Sequence, residues 1–250
     1  MSLKVNKDNI YYVTPFSKYG THNPIDTFME KDFTISTRLK INKENLPLQL
    51  DTYMFARNGK HSGILTHLDA NNRLEVRLCY WFIDENGNDV LKKVVHYLPE
   101  ELEDKFNDYI VTADDTSKTM SFYFNGEKVG DIDYENLTKC SYTGAFIWLG
   151  CGNMFNDDQF KGIGDFEYEY LYCLDIDLRF NEITEINKNY KTKYLNFGSD
   201  NALPVLNNKI KHKENIKLFC DFDYKNNYKV WDMSNGANFF QFYMDNNMIY

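Results

Sequence analysis

Alternation of hydrophobic and polar residues dominates this chain and is typical of β-strands that bury one face. The strand-like segments are 32–41, 73–82, 90–98, 109–130, 145–149 and 166–178. The connections between the early segments have the lengths of hairpins, shorter than crossovers, which predicts mostly antiparallel pairing. In segment 32–41 the polar residues alternate with apolar ones, so we expect this strand to turn one face to solvent.

The dipeptide Asn125-Gly126 is the strongest local signal in the sequence. A two-residue type I′ turn needs positive φ at both central residues, and Asn-Gly is a preferred pair for that conformation. Phe122 and Phe124 continue the strand alternation before the dipeptide, and Val129 resumes it afterwards. We therefore predict a tight β-hairpin at this position.

The longest alternating run covers residues 166–178, and a short helix is predicted to follow it. The apolar residues of this run, all predicted to share one face, are Phe166, Tyr168, Tyr170, Tyr172, Leu174, Ile176 and Leu178. Downstream, Asn181 is a cap-like residue, and Ile183 and Ile186 stand near helical spacing, so we expect a helix that ends near Tyr190.

These segments together indicate an all-β fold. At least eight strands, mostly antiparallel, with a short helix after the main strand series predict a two-sheet antiparallel jelly-roll sandwich. We expect one domain over residues 1–250, and we expect residues 191–250 to add strands to the same sandwich because that segment is short for an independent core.

The net charge, the absence of long apolar runs and the cysteine spacing indicate which partners and which cellular location to expect. The 250 residues carry a formal net charge of −9, which argues against a nucleic-acid partner because such affinity depends on clusters of Lys and Arg. No signal peptide or membrane-length apolar run is recognisable, so we expect no membrane insertion. The five cysteines lack paired spacing, which indicates reduced thiols and favours a cytoplasmic location, whether or not the chain is part of a longer protein.

Several segments follow one another in a distinctive order along the chain. They are DFTISTRLK, FARNGKHSGILTHLDANNRLEVRL, FNDYIVTADDTSKTMSFYFNGEKVG, AFIWLGCGN, Phe160-Lys-Gly162 ahead of Asp165, and FNEITEINKNY. Taken in this order, they resemble the laminin G-like branch of the concanavalin A-like lectin/glucanase superfamily. They cover about residues 33–190, and their order is what makes the resemblance specific. The resemblance implies a concanavalin A-like sandwich and, as the first hypothesis, a noncatalytic lectin-like or adhesion module that binds a glycan or glycoconjugate.

Two departures from the family pattern concern the later part of the chain. The segment between Asp165 and Phe180 is longer than its counterpart in the family. The sequence WDMSNGAN at 231–238 resembles a motif that the family places before its first strand. Its position here indicates either a rearranged closing strand or the start of a second copy.

A second hypothesis is a glycoside hydrolase or lyase that uses Asp165, Glu167 and Glu169. Strand geometry places residues at i, i+2 and i+4 on one face, and retaining glycosidases need two carboxyl groups about 5 Å apart. The glucanase relatives carry Glu, Asp and Glu in such a triplet, whereas this chain has Asp, Glu and Glu. The alternative for the triplet is that its carboxylates simply form the solvent-exposed face of a sheet. A third hypothesis for the whole domain is that the sandwich is a structural or protein-interaction module.

Candidate ligand-binding residues come from an aromatic position and a polar loop. Trp81 adjoins a loop and could supply a flat platform for a sugar, and loop 152–158 combines amides with carboxylates. The predicted ligand-binding residues are Trp81, Asn153, Asn156, Asp157 and Asp158. We expect no cofactor other than calcium, for which Asp157 and Asp158 are the candidates.

Overall fold

The computed structural model describes residues 2–6, 10–13, 28–57, 62–140, 147–150, 164–189, 195–196, 205–206, 209–222, 225–226, 229–231, 239–244 and 247–248. Its strands are β1 Leu3–Val5, β2 Ile10–Val13, β3 Phe33–Ile41, β4 Asp51–Arg57, β5 Ser62–Leu68, β6 Leu74–Ile83, β7 Asp89–Tyr97, β8 Phe106–Asp114, β9 Thr119–Phe124, β10 Glu127–Asp133, β11 Thr138–Lys139, β12 Ile147–Leu149, β13 Phe166–Leu174, β14 Leu195–Asn196, β15 Val205–Leu206, β16 Ile216–Asp221, β17 Lys225–Asn226, β18 Lys229–Trp231, β19 Phe239–Met244 and β20 Asn247–Met248. Helix α1 spans Phe180–Asn189, and short 3-10 turns span Lys43–Asn45, Glu100–Leu102 and Lys213–Asn215.

Two antiparallel sheets form a sandwich. The first, called the helix-side sheet, has the strand order β1-β13-β3-β8-β9-β10, with β16 beside β13. The second, called the far sheet, has the order β11-β6-β5-β4-β12-β2-β19-β18-β17, with β7 beside β6 and β20 beside β19. The predicted two-sheet antiparallel sandwich with a short helix is confirmed.

The core between the two sheets is rich in aromatic side chains, and two of its buried tyrosines donate hydrogen bonds to main-chain carbonyl oxygens. The hydroxyl of Tyr80 donates to the carbonyl oxygen of Met29 at 2.6 Å, and that of Tyr168 donates to Met54 O at 2.5 Å. Both rings are fully buried. Because the hydroxyls of Tyr80 and Tyr168 have main-chain acceptors, these two rings contribute apolar burial without leaving their donors unpaired.

The Asn125-Gly126 turn joins β9 to β10 as predicted. Its φ angles are 46° at Asn125 and 91° at Gly126, so both central residues have the positive φ of a type I′ turn. The hairpin prediction is therefore confirmed. A Cβ at Gly126 would lie 3.5 Å from Cζ of Phe180, which shows that the tip of this turn faces the start of helix α1.

A β-bulge in β13 shows that the predicted single apolar face of this strand is wrong. The register against β3 shifts between Tyr168 and Tyr170, which makes Glu169 the extra residue. Phe166 and Tyr168 face the core between the sheets. Beyond the bulge, the side chains that belong instead to a second core on the helix side are Tyr170, Tyr172, Leu174, Leu178 and, partly buried, Ile176.

This second core lies where helix α1 covers the outer face of the helix-side sheet. Ile183 and Ile186 are its buried helix residues, at the helical spacing that predicted this element. The solvent face predicted for β3 is wrong at Thr34 and Ser36, which are fully buried. Thr34 Oγ1 donates to Ile176 O at 2.8 Å, so the chain that leads into the helix covers this part of the strand.

His96 on β7 is expected to make the fold less stable at acid pH. Its ring lies 4.6 Å from the ring of Phe124, and burial lowers the pKa of His96 from its ordinary 6.5. The unfolded chain therefore binds a proton at His96 more readily than the folded protein does. As a result, the free energy of unfolding falls as pH drops below 6.5, by at most about 1.4 kcal/mol per pH unit for one proton.

The substitution His96→Leu tests this expectation. Chemical denaturation at pH 7.5 and pH 5.5 should show a smaller loss of stability on acidification for H96L than for the unaltered protein. An identical loss in both proteins would assign the acid sensitivity to other groups.

Helix length and cysteine burial relate to two expectations from the sequence, namely no membrane insertion and reduced thiols. In the described ranges no helix has the length and apolar character needed to cross a membrane. Cys79, Cys140, Cys173 and Cys220 are buried. Burial, mainly, raises the pKa of the Cys79 thiol to about 11, so this thiol stays protonated and unreactive near neutral pH.

Candidate functional site

A cleft, here called the helix cleft, lies on the outer face of the helix-side sheet. It is lined by helix α1, the Asn125-Gly126 turn and residues of three strands, β3, β8 and β13. Its volume is about 540 Å³, which is within the range of small-ligand sites. The confirmed hairpin therefore forms part of the wall of this cleft.

The floor of the helix cleft is a network of charged and hydroxyl groups centred on Arg38. Its Nη1 lies 2.9 Å from Asp108 Oδ2, and its Nε donates to Glu169 Oε2 at 2.8 Å. The hydroxyl of Tyr170 donates to Asp108 Oδ1 at 2.7 Å. Because β3 lies between β8 and β13, one guanidinium can bind a carboxylate on each neighbouring strand.

Two groups of the floor, Arg38 and Tyr170, have pKa values raised by their surroundings. Partial burial disfavours the charge on Arg38, but the carboxylates of Asp108 and Glu169 outweigh this effect and raise the pKa of the guanidinium. Burial and then the charge of Asp108 raise the pKa of the Tyr170 phenol well above its usual value. The floor therefore presents a permanent cation and a phenol that keeps its proton.

The hairpin holds Asp108 in place through its Asn side chain. Asn125 Oδ1 accepts a hydrogen bond from the main-chain N of Asp108 at 2.9 Å, and Asn125 Nδ2 donates to Asn107 Oδ1 at 2.8 Å. Asn107 Nδ2 in turn donates to Leu102 O at 2.9 Å. The turn residue that made the fold recognisable thus also orients a carboxylate of the cleft.

Helix α1 forms one wall through residues spaced along a single face. Phe180, Thr184, Asn187 and Lys188 line the cleft, whereas the buried isoleucines lie on the neighbouring stripe. The ring of Phe180 stacks on that of Tyr123 at a centroid distance of 5.1 Å. The wall therefore combines one anchored aromatic ring with polar side chains.

The structure does not bring the predicted carboxylate triplet into one site. Glu169 lines the helix cleft, but Glu167 does not, and its Oε1 lies 3.0 Å from Lys40 Nζ. Asp165 is buried and accepts hydrogen bonds at Oδ2 from Nδ2 of Asn45, at 2.7 Å, and of Asn42, at 3.2 Å. Each carboxylate is held separately by neighbouring cations or amides.

The other predicted ligand residues lie apart from the helix cleft or outside the described ranges. Trp81 is on β6 of the far sheet, opposite Leu91, where it packs partly buried against the core between the sheets. Asn153, Asn156, Asp157 and Asp158 lie outside the described residues, so the predicted ligand loop and calcium position stay predictions. Among the described residues no three His, Cys, Asp or Glu side chains are grouped as metal ligands are.

Sequence reasoning missed most of the residues in the helix cleft. Arg38 and Asp108 looked like ordinary polar positions of alternating strands, and their meeting depends on strand order and on the bulge at Glu169. A signal did exist in the predicted helix, because Thr184 and Asn187 form a polar stripe beside its apolar residues. That stripe could have suggested a lined groove along the helix.

Comparison with protein families gives one match. A laminin G-type family model, described as the concanavalin A-like lectin/glucanases superfamily, matches residues 17–166. A search of curated proteins finds no match.

Solved structures with similar folds include two binding proteins. A putative carbohydrate binding protein from Bacteroides ovatus is 14% identical with a TM-score of 0.51, and the match covers 99% of this chain and 62% of that one. The binding domain of botulinum neurotoxin serotype D/C is 16% identical with a TM-score of 0.51, covering 78% and 44%. The chain thus spans less than two thirds of either structure, and at these identities the likeness shows the fold alone.

Proposed function

This chain belongs to the concanavalin A-like lectin/glucanases superfamily, and from that premise we propose that it is a noncatalytic carbohydrate-binding module of lectin or adhesion type. We assign the helix cleft as its glycan site. A solved structure with this fold is described as a putative carbohydrate binding protein. Because one fold hosts many functions, the support for this assignment has to come from the cleft itself.

The observation that carries the proposal is the fixed polar floor beside an aromatic ring. Sugars are bound by planar polar groups that meet their hydroxyls and by rings that cover their apolar faces. Arg38, Asp108 and Glu169 supply the planar groups, already held in position by bonds of 2.8 to 2.9 Å. Phe180 supplies a ring at the wall.

The arrangement of the cleft floor supports glycan binding better than glycoside hydrolysis. Glycoside hydrolysis needs two carboxyl groups placed on either side of the scissile bond, one of them as an acid. In the helix cleft Asp108 and Glu169 are both bound to one guanidinium, which occupies the space between them. The proposed role of these carboxylates is to hold Arg38 and to accept hydrogen bonds from sugar hydroxyls.

Replacing Arg38 by methionine is expected to weaken glycan binding by about tenfold or more, since charged hydrogen-bonding groups at the centre of a site contribute most to affinity. Lys40 offers a matched control. It lies on the same strand and pairs with Glu167 of β13 as Arg38 pairs with Glu169, but it does not line the cleft. K40M should keep the unaltered affinity.

The measurement is a glycan array followed by titration calorimetry with the glycan that binds best. Both are run with calcium and with EDTA, because a calcium ion at Asp157 and Asp158 would make binding depend on the metal. Binding to no glycan in either condition contradicts the proposed function. Equal loss of affinity in R38M and K40M contradicts the assignment of the site to the helix cleft.

A further inference from the structure

Resting on the glycan-binding function proposed above, we propose that the helix cleft recognises a sugar that carries an acetamido group, with Thr184 and Asn187 of helix α1 contacting that group. An acetamido group presents a carbonyl oxygen that accepts one hydrogen bond, an N–H that donates one, and an apolar methyl. The cleft offers the three complementary features along one face of the helix.

Several acceptor atoms at the floor already take part in its hydrogen-bond network. Asp108 Oδ1 accepts from the Tyr170 hydroxyl and Oδ2 from Arg38, while Asn125 Oδ1 accepts from the main-chain N of Asp108. These bonds are 2.7 to 2.9 Å long. The floor can still accept from sugar hydroxyls, and the groups that can distinguish one substituent from another lie on the helix wall.

Asn187 directs its amide nitrogen away from its protein partners. Its Oδ1 accepts hydrogen bonds from the Tyr172 hydroxyl at 2.6 Å and from Ser36 Oγ at 3.3 Å. A length of 2.6 Å is usual for an O–H···O bond and short for an N–H···O bond, which assigns the oxygen to this side. Within the described ranges Nδ2 has no bonding partner, and it is a donor for a ligand carbonyl.

Thr184 supplies the complementary acceptor. Its hydroxyl donates to the carbonyl oxygen of Phe180 at 2.9 Å, one turn earlier in the helix. With its proton used in this way, the exposed Oγ1 can only accept a hydrogen bond from a ligand. Thr184 therefore suits an N–H group.

The three helix residues are spaced to meet one substituent. Phe180, Thr184 and Asn187 stand at i, i+4 and i+7, so they form a single stripe with about 5–6 Å between successive Cβ atoms. An amide that accepts from Asn187 and donates to Thr184 spans the last two positions. Its methyl group then lies on the side of the Phe180 ring.

The same atoms disfavour two simpler ligands. A single sugar hydroxyl can meet Asn187 or Thr184, but it does not present a carbonyl acceptor, an N–H donor and a methyl group across both positions. A carboxylate or sulfate gains no net charge attraction, because Arg38 and Lys188 are balanced by Asp108 and Glu169. A neutral group with both an acceptor and an N–H matches the cleft better.

The substitution Asn187→Asp tests the assignment, because it keeps an acceptor for Tyr172 and Ser36 and replaces the amide donor with a carboxylate oxygen. Asn181→Asp is the matched control: it makes the same change at an exposed position of the same helix outside the cleft lining. Thr184→Val removes the hydroxyl at constant shape. Unfolding curves verify that each variant is folded.

The probes are N-acetylglucosamine and N-acetylgalactosamine oligosaccharides beside their parent glucose and galactose oligosaccharides. We expect at least one acetamido sugar to bind at least tenfold more tightly than its parent. That preference should be lost in N187D, reduced severalfold in T184V and kept in N181D. Equal affinity for acetamido and parent sugars, or a preference unchanged in N187D, overturns the assignment and leaves glycan binding standing. Binding to no sugar contradicts the glycan-binding function and therefore also the assignment of an acetamido group to Thr184 and Asn187.

Discussion

Replacing Gly63 by alanine is expected to lower the free energy of unfolding by about 3 kcal/mol or more, because the added methyl has no space. Gly63 pairs with Ala56 where β5 meets β4, close to a register shift in β4. A Cβ at this position would overlap the carbonyl oxygen of Phe55 and lie only 3.0 Å from Cα of Ala56. Both obstacles are main-chain atoms, so relief requires the strands to separate.

Gly87 is the matched control for this substitution. It has a positive φ of 82° in the turn between β6 and β7, and a Cβ there would meet nothing within 4 Å. G87A should therefore cost only the backbone strain, about 1 kcal/mol. Urea denaturation of both variants separates the two effects. A cost for G63A no larger than that for G87A would show that β4 and β5 can adjust to a side chain.

The second large effect is expected at Lys139, a lysine buried beside the core. Its side chain is 4% exposed, its Nζ lies 2.9 Å from Asp115 Oδ1, and it donates to Lys31 O at 2.5 Å. The same nitrogen lies 5.1 Å from the ring centroid of Phe33 and 5.3 Å from that of Tyr134. Burial lowers the pKa of Lys139, although Asp115 opposes this shift.

The substitution Lys139→Met is expected to lower the free energy of unfolding by about 2–4 kcal/mol. Removing one member of a buried ion pair leaves the other charge without its partner, and the cost is reduced here because the Asp115 side chain is 32% exposed. The Tyr134 hydroxyl donates to Asp115 Oδ1 at 2.8 Å in the unaltered protein, and we expect this hydrogen bond to persist in the variant.

A double-mutant cycle with Asp115→Asn isolates the interaction of the pair. The cost of K139M/D115N should be smaller than the sum of the two single costs by about 1 kcal/mol or more. Additive costs would show that Lys139 acts through packing on the rings of Phe33 and Tyr134 and that its charge contributes nothing measurable. Denaturation at moderate and high salt adds a second reading, since a buried pair is screened little.

The strands and their turns were predictable because their causes are local. Alternation with period two arises wherever a strand has a buried and an exposed face, and the Asn-Gly turn follows from the φ angles that these two residues tolerate. The helix was predictable for the same reason, because the spacing of Ile183 and Ile186 follows the helical repeat and depends on no distant residue. The family resemblance rested on the order of these segments along the chain, and it added the concanavalin A-like architecture, which local pattern does not determine.

The prediction for β13 was wrong because a bulge has no reliable sequence signal. The unbroken alternation of tyrosines in EYEYLY suggests one apolar face, yet one extra residue at Glu169 reverses the faces beyond it. Tyr168 therefore packs between the sheets and Tyr170 beneath the helix. The phenol tips of tyrosine make either side acceptable, because each finds an acceptor there.

The sequence by itself determined the class of fold, the position of the central hairpin and the superfamily, since these depend on periodicity, turn chemistry and segment order. Only the tertiary structure decided where a ligand could bind. Along the chain, Asp108 lies 70 residues from Arg38, and Glu169 lies 131 residues from it. They meet because strand order and one bulge bring them under helix α1, and such long-range pairing leaves no periodic trace in the sequence.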